Sequence, residues 1–241
     1  MNPGWTVAGA VAGLVAGVAL RSLVVRLSVP AGEPPRNSCP RCTALLPRLI
    51  AIRCPRCRAR LGPLPLLELA CAMTVAALAG RFADTPEVIA FCALGALGIA
   101  LAAIDLKVQR LPDLLTLPAY PVMLALLAAA AVVGHQPWPL ARAVLGGLAL
   151  AGAYLLLGLI RPGGVGLGDI KLAGLIGLAL GWLGWRTVID GAMLGLVLAA
   201  AVGLALLAAR QLTLRSYLSF GPFLIGGALL VMLAVGPGPA A

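Results

Sequence analysis

The chain has 241 residues, 61% of them hydrophobic and 11% charged, with a mean hydropathy of +1.05. That composition excludes a soluble domain and specifies a polytopic membrane protein. The formal charge of +10 does not point to nucleic acid: the cations sit in short loops between apolar runs, with no basic helix face and no interleaved aromatic platform.

Taken in order, the first apolar run is Trp5 to Leu20, with Arg21 and Arg26 behind it and no cation before it. A secretory signal has the opposite polarity, so residues 1–20 read as a retained span with its N-terminus outside. Residues 21–63 form a polar, arginine-rich segment carrying four of the six cysteines. Residues 64–241 hold seven further runs: Leu64–Gly80, Val88–Ile104, Leu114–Gly134, Leu140–Ile160, Ile170–Trp185, Thr187–Ala209 and Leu218–Val235. At ~1.5 Å per residue each approaches the ~30 Å of a bilayer core, Ile170–Trp185 being the shortest fit. The expectation is an all-α protein with about eight transmembrane helices and a small cytoplasmic zinc-knuckle loop domain. With the N-terminus outside, fifteen of the eighteen Lys and Arg residues fall inside and only Arg81, Arg142 and Arg186 outside, a strong positive-inside bias. No convincing internal repeat stands out.

Cys39-Pro-Arg-Cys42 and Cys54-Pro-Arg-Cys57 are two C-x-x-C pairs separated by eleven residues, the spacing of a four-cysteine structural zinc site. Placement inside argues against lasting disulfides, and neither pair has a thioredoxin-like context. Cys71 and Cys92 fall within apolar runs and read as packing residues.

Asp105, Asp113 and Asp169 all lie at inner ends of spans. Asp169 closes the glycine-rich break Gly164-Val-Gly166-Leu-Gly168-Asp169, which reads as a bent, accessible loop. Two carboxylates brought close share one proton, and such a pair activates water and protonates a leaving amine. Other readings stand beside this one. Asp169 and Asp113 both fit helix N-caps, Asp105 fits an interfacial partner of Lys107 or Arg110, and Arg186 with Asp190 fits an i, i+4 pair.

As an ordered set these features resemble the bacterial type IV prepilin peptidase family of GxGD-type membrane aspartic peptidases. The set comprises the cysteine knuckles after the first span, Leu64-Pro-Leu-Leu-Glu68-Leu, Ile104-Asp105 followed by Leu111-Pro-Asp113, Gly166-Leu-Gly168-Asp169-Ile-Lys171-Leu, and Phe220-Gly-Pro-Phe223. The resemblance implies a catalytic dyad of Asp105 and Asp169, with Asp113, Gly166, Gly168 and Lys171 in support and zinc on Cys39, Cys42, Cys54 and Cys57. It implies a prepilin or pseudopilin substrate cut after a basic leader, at the cytoplasmic face of a bacterial inner membrane. It also implies S-adenosylmethionine-dependent methylation of the new N-terminus. The first span departs from the family in lacking the Asn of its early G-S-x-x-N stretch, and the segment between the cysteine pairs is short. Two other classes fit the residues alone: an ion- or proton-coupled transporter with a zinc-knuckle regulatory loop, and a noncatalytic scaffold docking partners through the basic loop.

Overall fold

Eight α-helices appear where the sequence has apolar runs, and no strand forms among the described residues of the computed structural model. Described are residues 2–30, 32–46, 53–59, 61, 65–160, 166–211 and 219–237. Gly164 and Val165 of the glycine-rich break, Arg48, Arg60, Arg161 and Arg215 of the inside cations, and the expected run starts Leu64 and Leu218 lie outside them.

The helices are α1 (Pro3–Leu27), α2 (Leu66–Arg81), α3 (Val88–Val108), α4 (Asp113–Val133), α5 (Trp138–Ile160), α6 (Leu167–Leu183), α7 (Trp185–Ala208) and α8 (Gly221–Val235). Five of them, α1, α3, α4, α5 and α7, are long and apolar enough to cross a membrane. The chain is therefore a multi-pass membrane protein. By contrast, α2, α6 and α8 have only 16, 17 and 15 residues, so the eight expected spans correspond to eight helices without all reaching spanning length.

The chain divides into two compact units: residues 1–83 with 91–110, and residues 84–90 with 111–241. In the first, Asn2 caps α1 by accepting from Gly4 N–H at 3.1 Å, with Pro3 following in the first turn. Gly9, Gly13 and Gly17 recur every fourth residue on the side of α1 that meets α2. A Cβ at Gly13 would lie 2.6 Å from the Cys71 carbonyl oxygen, so only glycine admits this backbone approach. Where the seam ends, the Arg21 guanidinium is paired with Glu68, both buried. Nothing in the sequence pattern announced this ion pair. Phe82 and Phe91 meet edge to face at 4.7 Å and tie α2 to α3.

Beyond α1, the cysteine segment folds onto the helix's last turn. Val25 is buried with Cys39, Leu46, Cys54 and Leu61, while Arg26 donates to Asn37 Oδ1 at 2.8 Å and to the Leu46 carbonyl at 3.2 Å. The two knuckles repeat each other. Cys39 N–H donates to Ala44 at 2.9 Å and Cys54 N–H to Ala59 at 2.8 Å; Thr43 and Arg58, both at positive φ (55° and 53°), close the equivalent turns onto the carbonyls of Cys39 and Cys54. The expectation of no internal repeat is thus corrected. Ser-Cys-Pro-Arg-Cys-Thr-Ala-Leu-Leu from Ser38 and Arg-Cys-Pro-Arg-Cys-Arg-Ala-Arg-Leu from Arg53 are one motif used twice.

In the second unit α6 is the axis. Every residue from Leu172 to Trp182 is buried, as an element apolar on all sides requires. Helix α5 packs on it through glycines from both sides; a Cβ at Gly177 would come within 2.6 Å of the Gly146 carbonyl. Arg142 donates to the Gly181 carbonyl at 2.8 Å and also reaches that of Trp182, satisfying orphan carbonyls where α6 ends.

Candidate active site

Asp169 is not the N-cap of α6. Gly166 holds that position, the helix starts at Leu167, and Asp169 is its third residue. From there the carboxylate turns back and its Oδ2 accepts the Gly166 N–H at 3.3 Å, where the helix N-terminus favours negative charge. The glycine-rich stretch also differs from the expected loop, since Gly168 is already helical. Gly166 has an ordinary φ of −74°, so its need is spatial rather than conformational: a Cβ there would sit 3.3 Å from Asp169 Oδ2. At Gly168 a Cβ would press to 3.0 Å on that of Leu111.

Asp113 is likewise no cap. Pro112 takes that place and Asp113 is the first residue of α4. Its Oδ1 accepts from Lys171 Nζ at 2.6 Å, joining the two sequence motifs across 58 positions. Further along, Tyr120 Oη donates to the Lys171 carbonyl at 2.6 Å and lies against Gly174. Leu111, Asp113 and Tyr120 thus hold the start of α4 against the first two turns of α6, which fixes the backbone carrying Asp169. Sequence reading names Asp113, Lys171 and Gly168 individually, but their mutual contacts leave no periodic trace.

Asp105 belongs to the first unit and is buried near the end of α3. Five residues later Arg110 Nη1 donates to the Pro30 carbonyl at 2.7 Å, so this end of α3 lies beside the segment leaving α1. Asp169, Asp113 and Lys171 belong to the second unit. Arg186 and Asp190 form the expected i, i+4 pair at 3.9 Å, on the surface.

The four knuckle sulfurs converge. All lie within 4.8 Å of one another, with Cys39 to Cys57 and Cys42 to Cys54 both at 3.7 Å. Zinc–sulfur bonds of ~2.3 Å at tetrahedral angles put sulfurs ~3.8 Å apart, so the cluster already has the size of a zinc tetrathiolate. Backbone donors prepare it: the N–H of Cys57, with that of Arg56, brings the Cys54 thiol down to about 6, and the N–H of Arg41 lowers Cys39. Cys42 accepts from Ala44 N–H, yet burial and the neighbouring thiols outweigh this and push it up to about 11. Cys71 and Cys92 stay apart, their sulfurs directed at the carbonyls of Ala96 and Val75.

A profile of the type IV leader peptidase family matches residues 92–209, a stretch that contains Asp105, Asp113, Asp169 and Lys171. Among curated proteins the chain is 34% identical over 212 residues to a prepilin leader peptidase/N-methyltransferase of Burkholderia pseudomallei (strain 1026b), covering 80% of this chain and 65% of the relative. It is 30% identical over 203 residues to a protein of the same description from Pseudomonas aeruginosa, covering 79% and 68%. The chain belongs to the type IV leader peptidase family. A third member, from Pseudomonas putida, is 34% identical over 184 residues, 75% of this chain and 62% of the relative. The chain thus spans about two-thirds of the length of the leader peptidases it matches. No solved structure matches it.

Proposed function

We propose that the chain is an aspartic endopeptidase that removes the basic leader from type IV prepilins or type II secretion pseudopilins, with Asp105 and Asp169 as its catalytic pair. The observation that carries this reading is that the family match encloses both residues. It gains support from the construction around Asp169, whose helix N-terminus, glycine pair and Asp113–Lys171 brace hold a carboxylate in a fixed place.

Working together, the two carboxyl groups hold one proton. The ionised one takes a proton from water as the water oxygen attacks the scissile carbonyl carbon. The protonated one gives its proton to the amine that leaves when the tetrahedral intermediate collapses, and the pair ends with one proton again. Gly166 leaves the approach to Asp169 Oδ2 clear for substrate backbone, while Gly168 lets Leu111 pack beneath that turn of α6. The prepilin's apolar N-terminal helix lies in the bilayer, so its leader meets the membrane rim where the helices bearing the aspartates end. The positive-inside bias supports a cytoplasmic location for that rim, in a bacterial inner membrane.

Cys39, Cys42, Cys54 and Cys57 would hold a structural zinc, which would neutralise their thiolates and join the two knuckles to each other, while Val25 and Arg26 fasten the lobe to the last turn of α1. Methylation of the new N-terminus from S-adenosylmethionine is the second activity proposed, from the description carried by the relatives.

The test incubates the purified chain with a prepilin peptide, with and without S-adenosylmethionine, and weighs the products. Cleavage at one bond by wild type, with none by Asp105→Asn or Asp169→Asn, supports the proposal. Full processing by either variant removes it. A product heavier by one methyl group only when S-adenosylmethionine is present decides the second activity.

A further inference from the structure

The repeated knuckle has a basic surface that neither zinc binding nor peptide hydrolysis uses. Arg41 and Arg56 occupy equivalent places in the two repeats, directly before the second cysteine of each pair, and both are exposed. Arg53 and Arg58, which flank the second cysteine pair in sequence, are exposed as well. Between residues 28 and 61 the sequence holds seven arginines against a single acidic residue, Glu33. Leu45, within the first repeat, is 83% exposed and so free to meet an apolar surface.

Location decides what this surface meets. The 25 residues of α1 extend ~37 Å at ~1.5 Å each, against a ~30 Å hydrocarbon core. The excess, about one turn at the Arg21–Leu27 end, emerges at the headgroups. It is there that the knuckle is clamped, through Val25 in its core and Arg26 bonded to Asn37 and Leu46. A lobe fastened to the last turn of a span holds its charges within about one Debye length, ~8–10 Å, of the lipid surface. Exposed arginines and an exposed leucine in one small lobe, at that height, match the requirements of an anionic membrane surface: guanidinium groups for phosphates and an apolar side chain for the acyl boundary.

We propose that the zinc-knuckle lobe docks on the bilayer through anionic lipid headgroups, using Arg41, Arg53, Arg56 and Arg58 with Leu45 inserted among them. The partner is the lipid surrounding the chain's own spans. Docking fixes the lobe flat against the membrane at the foot of α1.

The test uses the full zinc-loaded chain in nanodiscs of phosphatidylcholine alone or with a third of phosphatidylglycerol, read by amide hydrogen exchange over residues 38–46 and 53–59. Anionic lipid is expected to slow exchange in both segments by about ten-fold or more at ~0.05 M salt and to lose that effect at ~0.5 M. The variant R41Q/R53Q/R56Q/R58Q, with zinc content unchanged, is expected to exchange equally in both discs, and Leu45→Ser to lose part of the protection. Equal exchange of wild type in the two lipid compositions overturns the proposal. So does protection in neutral discs produced by a soluble polyglutamate peptide and not by phosphatidylglycerol, which would assign the surface to an acidic protein segment. If the quadruple variant fails to retain zinc, the wild-type comparison across lipid and salt decides by itself.

Discussion

Replacing Lys171 with methionine keeps the aliphatic stem and deletes the ammonium that Asp113 accepts from at 2.6 Å. The effects on stability and on rate should differ widely. The pair is open to water, with side chains 33% and 58% exposed, so screening limits its contribution to stability to at most ~1 kcal/mol. For a chain of this size that corresponds to a fall in Tm of no more than ~2–4 °C. Yet Lys171 lies two residues beyond Asp169, and its bond joins the first turn of α4 to the turn of α6 that carries Asp169. A misplacement of ~1 Å at a reacting group costs ~100-fold in rate. Lys171→Met is therefore expected to lower kcat on a prepilin peptide by about 100-fold, with KM changed only a few-fold and Tm nearly kept. Asp113→Asn should do the same, and the double variant should be no worse than the worse single one, since both remove one interaction. Wild-type kcat in Lys171→Met, or additive losses in the double variant, would refute the reasoning.

Three further outcomes are expected. Arg21→Met or Glu68→Gln breaks a buried ion pair and should cost ~3–5 kcal/mol in thermal unfolding, whereas changing both to apolar residues should recover most of it; the buried Glu68 Oε2, which has no hydrogen-bond partner among the described residues, adds to the burden of the native pair. Gly177→Ala forces a methyl group to 2.6 Å from the Gly146 carbonyl and should cost ~1–3 kcal/mol or more, while Gly152→Ala, with nothing within 4 Å, should be neutral by the same thermal assay. In the metal-free chain the Cys54 thiol, brought down to about 6 from 9.0, should supply the earliest step in thiolate absorbance as pH rises, a step absent in Cys54→Ser and retained in Cys42→Ser. Because its folded value is lowered, Cys54 adds stability in full above pH 9.0, less as pH falls, and none below about 6. A first step that persists in Cys54→Ser would contradict this.

Much of the fold was legible because membrane helices announce themselves by long apolar runs and loops by charge. The cysteine cluster was legible from spacing alone, since a tetrathiolate needs two short turns and little else. Arg186 with Asp190 was legible because the pair is local. Contacts between distant segments were not: Lys171 with Asp113 and Arg21 with Glu68 lie 58 and 47 positions apart and share no period. Helix starts were misjudged for a related reason. Glycine reads as a break in text, yet at Gly168 it lies inside α6, because Leu111 packs where a side chain would go. The knuckle repeat was visible in the letters; only its matching hydrogen bonds made it unmistakable.

Whether Asp105 and Asp169 act as one proton-sharing unit is decided by measuring prepilin cleavage by Asp105→Asn, Asp169→Asn and the double variant side by side. Groups that work as a unit lose nearly everything when either is removed, so each single variant should fall by ~1,000-fold or more and the double no further. Near-normal cleavage by either single variant, or losses that multiply in the double, would contradict it.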